Sequence, residues 1–361
     1  MNYPKISVFG AGAGGISIAG YLASIGCKVN LYNRTYEKIK PFIDTKEISL
    51  HGEIEGTFNL NLVTDDVCKA LKDTRIIMVV VPAMAHKDIA EKIAAHLTDD
   101  QIIILNPGRT FGALEFRNTL KAKGLKKKIV VAEAQTLIFA CRVIAPGSVR
   151  ILKAKNSVPL SCIPAWKIPE IIKSIKPMMP FFMPGDNILQ TGLSNIGGIF
   201  HPVTTLLSTA WIENTRGDFE FYHEGISEKV ATVIERIDEE RIAVAAALGI
   251  RVLSAKEWIY IAYSIHGSDL YEAIQNNPAY KNIIAPRNLN HRYITEDIPM
   301  SLVPISSLGD HLKVETNTMK SIIQLASVIH GTDYFKEGRT VSSIGINELS
   351  VKEILKLALE G

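Results

Sequence analysis

The residues best suited to chemistry begin with a glycine cluster near the start of the chain, Gly10-Ala11-Gly12-Ala13-Gly14-Gly15, in which Gly10, Gly12 and Gly15 satisfy GxGxxG. Gly10 permits a tight turn, Gly12 has no Cβ to hold a pyrophosphate off the backbone, and Gly15 lets a helix pack closely on a strand. The exposed amides and the dipole of the following helix would then attract the phosphates. A purely structural turn is the plainer reading of such glycines, but here they lie inside a strand–turn–helix–strand unit, the context dinucleotide binding requires. Where the second strand ends, an acidic residue would accept hydrogen bonds from a ribose 2′-hydroxyl and repel a 2′-phosphate. This chain has Asn33-Arg34-Thr35 instead. Arg34 can stack on adenine and offer its guanidinium to a phosphate, with Asn33 and Thr35 as further donors. The reading is therefore NADP first and NAD second, against the plainer one of a solvated arginine at a helix start. Val79-Val80-Val81-Pro82-Ala83 and Asn106-Pro107-Gly108-Arg109 end two further strands and are expected to line the nicotinamide side, Pro82 included.

His201 is the second feature. It lies in Asn187–Ile212, a stretch with no formally charged residue, so its helix should be buried and its imidazole should face an interior or a cleft. By itself, a lone histidine on an apolar helix is more often a satisfied core residue than a catalyst. His86 stands near the expected nicotinamide loop and could touch cofactor. His223, His266, His291 and His330 have no HxxxH or HExxH spacing, so no metal site is expected. A P-loop and a GxSxG elbow are both absent, which leaves phosphoryl transfer and serine hydrolysis without support.

These residues need elements to hold them. The first half alternates apolar strand-like runs with amphipathic stretches, the pattern of a parallel sheet flanked by helices. Lys5–Phe9 and Lys28–Tyr32 read as strands, Gly14–Ile25 as a helix, and Thr35–Phe42 as a second helix. Glu47–Thr64 reads as an inserted antiparallel hairpin. Arg75–Val81, Gln101–Leu105, Lys128–Ala132 and Gln135–Cys141 complete the sheet. From Leu193 onward the period is helical. Ile226–Ile250 carries an apolar stripe with Glu and Arg opposite, and Ser254 with Glu257 has capping-box spacing ahead of a helix to Ser264. Ser268–Gln275, Thr316–His330 and Asn347–Leu359 are further helices. The break at Pro184-Gly185-Asp186 divides an α/β Rossmann-type domain (1–185) from an all-α domain (186–361).

Composition agrees. The 361 residues correspond to roughly two domains at about 150 residues each. Forty Lys and Arg against 37 Asp and Glu give a net charge of +3, too balanced for a dedicated nucleic-acid binder. The cysteines, at 27, 68, 141 and 162, form no CxxC pair, so neither a disulfide framework nor a zinc site is expected and a reduced cytoplasmic setting fits. Asn187–Ile212 is too polar for a membrane span and no secretory signal is expected. Oligomeric state is left open, a homodimer included.

Several of these segments together resemble the octopine/nopaline (opine) dehydrogenase family: the glycine turn, Asn106-Pro107-Gly108-Arg109-Thr110, Glu133-Ala134-Gln135-Thr136-Leu137, Asn195–Pro202, and Arg292-Tyr293-Ile294-Thr295-Glu296-Asp297-Ile298-Pro299. The resemblance spans nearly the whole chain, and its second-half motifs are more specific than the glycine turn. It implies a Rossmann domain plus a helical domain with the active site in the cleft between them. It also implies a reaction joining an amino acid to a 2-oxo acid such as pyruvate, through an imine that NAD(P)H reduces. By the same resemblance His201 is the catalytic histidine, Asp297 its partner and Arg292 a substrate-binding arginine. Asn33-Arg34-Thr35 departs from the NAD-using members, so the cofactor is not inherited from the family.

The implied chemistry suits these residue types. Amine attack on a ketone and loss of water both move protons near neutral pH, a task for histidine, and a carboxylate on its other nitrogen fixes the tautomer. Arginine holds a carboxylate bidentately. The alternatives are a ketopantoate reductase-like enzyme, which a catalytic lysine opening the second domain would favour, and a non-catalytic NADPH sensor.

Overall fold

The computed structural model describes residues 3–361, which divide into two compact units. The first comprises the described residues up to Gly192 together with Glu353–Gly361, and the second is Leu193–Lys352. Packing thus draws the division later than the expected 185/186 and returns the end of the chain to the first unit. Gly192 belongs with the first unit because its carbonyl accepts from Thr110 Oγ1 at 3.2 Å and its Cα lies against Phe111.

The first unit is built on β1 (Ile6–Phe9), α1 (Ala13–Ser24) and β2 (Val29–Tyr32), followed by β3 (Glu47–Gly52), β4 (Gly56–Asn59) and β5 (Leu62–Thr64). Then come α2 (Val67–Leu71), β6 (Ile76–Val79), α3 (His86–Ile93), β7 (Ile102–Leu105), α4 (Gly112–Ala122) and β8 (Val130–Ala134). β9 (Phe139–Ala145), β10 (Ser148–Ala154), β11 (Val158–Ile163), α5 (Ile168–Ile175), β12 (Phe182–Pro184) and α6 (Ile188–Leu193) complete the run. The main sheet has the order β12-β11-β8-β7-β6-β1-β2-β5. It is parallel from β8 to β5, and β11 runs antiparallel to β8. Residues of β1, β2, β6 and β7 are buried on both faces, as a sheet covered by helices requires.

Two expectations need correction here. Thr35–Phe42 forms two short 3₁₀ turns, Tyr36–Lys38 and Lys40–Phe42, because Pro41 interrupts the segment where an α-helix would need its amide. The Glu47–Asn59 hairpin forms, but β9, the segment expected to finish the main sheet, pairs with β10 instead. Together they make a separate sheet of order β4-β3-β10-β9. The alternation of apolar residues does not distinguish the two sheets.

The second unit is helical: α7 (Gly197–Leu207), α8 (Thr209–Thr215), α9 (Glu228–Ala247), α10 (Ala255–Tyr263), α11 (Leu270–Gln275) and α12 (Arg292–Thr295). A π-helical segment, Ile298–Leu302, leads into α13 (Val303–Leu312), followed by α14 (Asn317–His330) and α15 (Tyr334–Glu337). The last helix, α16 (Val351–Glu360), belongs to the first unit from Glu353 onward. The Ser254–Glu257 capping box forms at α10. The polar side of α9 is not uniformly solvated, however: Asp238, Glu240 and Arg241 are all buried. Arg241 donates to Asp238 Oδ1 from Nε and Nη2, and to the carbonyls of Leu193 and Leu253, so each of its guanidinium nitrogens is bonded. Glu240 accepts from the amides of Thr318 and Met319 at the start of α14. Such groups can be buried because every charge meets a partner. No helix among the described residues is long and apolar enough to cross a membrane.

Candidate active site

In the first unit, backbone geometry makes the glycine turn. Gly10 sits at φ +116°, and a Cβ there would lie 2.3 Å from the Val80 carbonyl oxygen. A Cβ on Gly15 would lie 1.8 Å from the Gly10 carbonyl oxygen, so this glycine lets the helix start close down on the turn itself. A Cβ on Gly12 would meet nothing within 4 Å, and no side chain caps α1. An uncapped helix start facing open space fits a dinucleotide pyrophosphate.

The end of β2 differs in detail from expectation. Asn33 Oδ1 accepts from the Ala11 amide at 3.1 Å, and its Nδ2 donates to the Thr35 carbonyl at 2.9 Å. Asn33 therefore ties the glycine turn to the β2 loop. Arg34 is exposed and pairs with Asp88 Oδ2 at 3.1 Å, a carboxylate that Lys92 also reaches at 2.9 Å. Those two cations, Lys92 foremost, hold the Asp88 carboxyl below the usual carboxylate range. Thr35 stands at the head of the 3₁₀ turn with no side-chain cap bond. Pro82 opens the turn after β6, beside the Val80 carbonyl that packs on Gly10. His86 follows this turn at the start of α3 and is fully buried against Gly112 and Phe116 of α4.

In the second unit, side chains from separate segments converge on His201. Nδ1 lies 2.8 Å from Asp297 Oδ2, and Nε2 lies 3.1 Å from the Tyr222 hydroxyl. Tyr293 stacks on the imidazole with ring centroids 4.0 Å apart and planes 17° apart. Asp297 is fully buried while the His201 side chain keeps 17% exposure, so the histidine is the accessible member of the pair. A carboxylate can only accept, so Nδ1 carries the proton in the neutral imidazole. Burial first, and the neighbouring tyrosines with Asp297 next, push the Tyr222 hydroxyl well above its ordinary range, so it stays protonated and donates to Nε2. Tyr222 is in turn stacked on Tyr280 at 4.2 Å.

The backbone explains this convergence. Gly198 in α7 lies so close to the π-helical segment that a Cβ would come within 2.5 Å of Ser301 Cβ. Asn195 Nδ2 also donates to Ser301 Oγ at 2.8 Å. Asp297 immediately precedes that segment, and π-helical turns often mark functional positions. Arg292 heads α12, one helical turn before Asp297; its side chain is half exposed and its Nε pairs with Glu296 at 3.2 Å. The other histidines are engaged locally: His223 with Glu220, His330 with Tyr334, and His291 as the cap of α12.

The comparisons with known proteins match this two-part arrangement. Residues 5–133 match the family model of the NAD-dependent glycerol-3-phosphate dehydrogenase N-terminus, and residues 184–330 match the α-helical domain of NAD/NADP octopine/nopaline dehydrogenase. An opine dehydrogenase from Arthrobacter sp. strain 1C is 38% identical over 96% of this chain and 97% of its own length. The chain belongs to the opine dehydrogenase family. It is an NAD(P)-dependent oxidoreductase acting on the CH–NH bond, and the ketone reductase and sensor readings give way to that. The fold is likewise that of octopine dehydrogenase solved with NADH and pyruvate (TM-score 0.80, 22% identity, 98% of both chains). Yersinopine dehydrogenase with NADP⁺ bound also matches it (TM-score 0.76, 16% identity, 98% and 99%).

Relative to the sequence reading, this opine dehydrogenase-family chain adds Tyr222, Tyr293 and Asp88. Tyr293 stands inside the motif already singled out, and Tyr222 ends an aromatic-rich run with Phe219 and Phe221. Nothing in the spacing of Arg34 and Asp88 signals that they pair.

Proposed function

We propose that the protein catalyses the reductive condensation of an amino acid with a 2-oxo acid such as pyruvate, with NADPH as the preferred reductant and NADH as the weaker one. The first unit serves as the cofactor unit, through Gly10, Gly12, Gly15, Asn33, Arg34, Thr35 and Pro82; the second serves as the substrate unit. The observation that carries this reading is the chain of hydrogen bonds from Asp297 through His201 to Tyr222. It supplies an imidazole with a fixed tautomer whose Nε2 is bonded to a tyrosine hydroxyl.

When bound, the cofactor supplies a hydride to the imine carbon. The chain's own residues handle protons and charge. His201 Nε2 carries the two protons that the amine gives up to the ketone oxygen in turn, the first making the hydroxyl as the amine attacks and the second letting that hydroxyl leave as water. Asp297 stabilises the imidazolium in between. A proton exchanged through Nε2 displaces the Tyr222 hydroxyl or crosses it, which makes Tyr222 part of the path. Arg292 holds the oxo-acid carboxylate with the guanidinium nitrogens not turned to Glu296. Preference for NADPH rests on Arg34 and Lys92 sharing one carboxylate, Asp88, which leaves a net positive charge where a 2′-phosphate would lie.

The test follows NADPH absorbance with pyruvate alone, then with pyruvate and a panel of amino acids. Consumption that requires both substrates is the expected result. Consumption with oxo acid alone would overturn the condensation.

A further inference from the structure

The Tyr222 hydroxyl is held against His201 Nε2, and the segment that carries Tyr222 is secured by a second histidine. His223, the next residue, has both ring nitrogens engaged. Nδ1 lies 3.0 Å from Glu220 Oε2, and Nε2 lies 3.2 Å from the Asn277 carbonyl oxygen. Neither partner can donate, because a carboxylate and a carbonyl only accept. A neutral imidazole has one N–H and would turn a lone pair towards one of the two. Both nitrogens therefore carry protons, and His223 is an imidazolium. Its counter-charge is Glu220, whose other oxygen accepts from the Asn282 amide at 3.0 Å.

Asn277 opens the 3₁₀ turn Pro278–Tyr280, and Tyr280 stacks on Tyr222 with ring centroids 4.2 Å apart. The imidazolium thus joins the residue after Tyr222 to the residue that starts the turn bearing Tyr280. The charged groups on the packed segments are Glu220 and Glu224, whose carboxylate takes the Glu220 amide, and the exposed Lys281 after the turn. From α11, the neutral Gln275 donates Nε2 to the His223 carbonyl at 3.0 Å. We infer that His223 is a positioning residue: clamped as an imidazolium between Glu220 and Asn277, it holds the Tyr222–Tyr280 pair against His201 and releases it on losing a proton. Deprotonation leaves a lone pair facing an acceptor oxygen, so one attraction becomes a repulsion and the clamp opens as pH rises. The effect on turnover rests on the proposed reaction; the double protonation does not.

Glu220→Gln separates the charge from the contacts. Its amide NH₂ can donate to Nδ1 while its carbonyl still accepts from Asn282, so a neutral His223 keeps both bonds. In ¹⁵N NMR of histidine-labelled protein, with the His223 signals identified by their loss in H223Q, wild type shows two protonated ring nitrogens at neutral pH and E220Q shows one. In turnover, wild-type kcat falls at least about threefold further than that of E220Q between neutral and alkaline pH, the scale of one lost hydrogen bond. The NADPH KM is the same in both, and titration of His201 and its other neighbours is common to the two enzymes. A single protonated nitrogen in wild type, or identical pH profiles for wild type and E220Q, would overturn the inference while leaving the opine reading intact. Two protonated nitrogens in a chain that turns over no substrate would uphold the clamp and count against that reading instead.

Discussion

The glycine turn of the first unit and the His201 cluster of the second are built on opposite principles. The turn works by the absence of side chains: Gly10 and Gly15 are excluded from any other identity by carbonyl oxygens within 2.3 Å of where a Cβ would stand, and Gly12 faces open space. Its determinants fall within one short segment, so a single strand–turn–helix step sets its shape. The His201 cluster works by side chains from α7, the Phe219–Tyr222 run and the Arg292–Asp297 turn, and its shape exists only when those segments pack. The turn should therefore tolerate changes elsewhere in the chain, whereas the cluster should respond to each of its members.

Removing the imidazole gives the sharpest contrast. His201→Ala should lower turnover by about 100-fold or more, the scale of a lost general acid–base, while NADPH binding, measured by fluorescence, is unchanged. Unchanged turnover would detach His201 from the chemistry and leave only the turn as a functional region. At the turn's own border, Arg34→Ala should weaken NADPH by about tenfold and NADH little, on the scale of one charge-assisted hydrogen bond to phosphate. Equal losses for both cofactors would remove the 2′-phosphate role. The smallest effect belongs to Tyr222→Phe. Loss of one hydrogen bond of about 0.5–1.5 kcal/mol should slow kcat by about three- to tenfold with the NADPH KM constant. A full-rate Tyr222→Phe enzyme would mean that Nε2 exchanges protons without that hydroxyl.

The two regions also differed in how legible they were. GxGxxG after KISVF carries its own geometry, and the motif around Arg292–Asp297 was visible as a family pattern, so His201, Asp297 and Arg292 could all be named beforehand. Asn33 was singled out as a donor at the end of the second strand, whereas its tie to Ala11 depended on a contact between loops. The pairing of Arg34 with Asp88, and the burial of His86 against α4, likewise join residues that are far apart in sequence. The α9 charges misled for a related reason. Periodicity assigns Asp238 and Arg241 to a polar face, and only the neighbouring Leu193 and Leu253 carbonyls make burial tolerable.

By itself the sequence determined an α/β unit followed by a helical one and the glycine turn after the first strand, because those depend on local backbone preference, apolar periodicity and residue type. The tertiary structure alone decided that Tyr222 and Tyr293 enclose His201, that β9 joins a second sheet, and that His223 reaches the Asn277 carbonyl. Each of those is a contact between segments distant along the chain, and such contacts are selected by the packing of the whole unit rather than by any local rule.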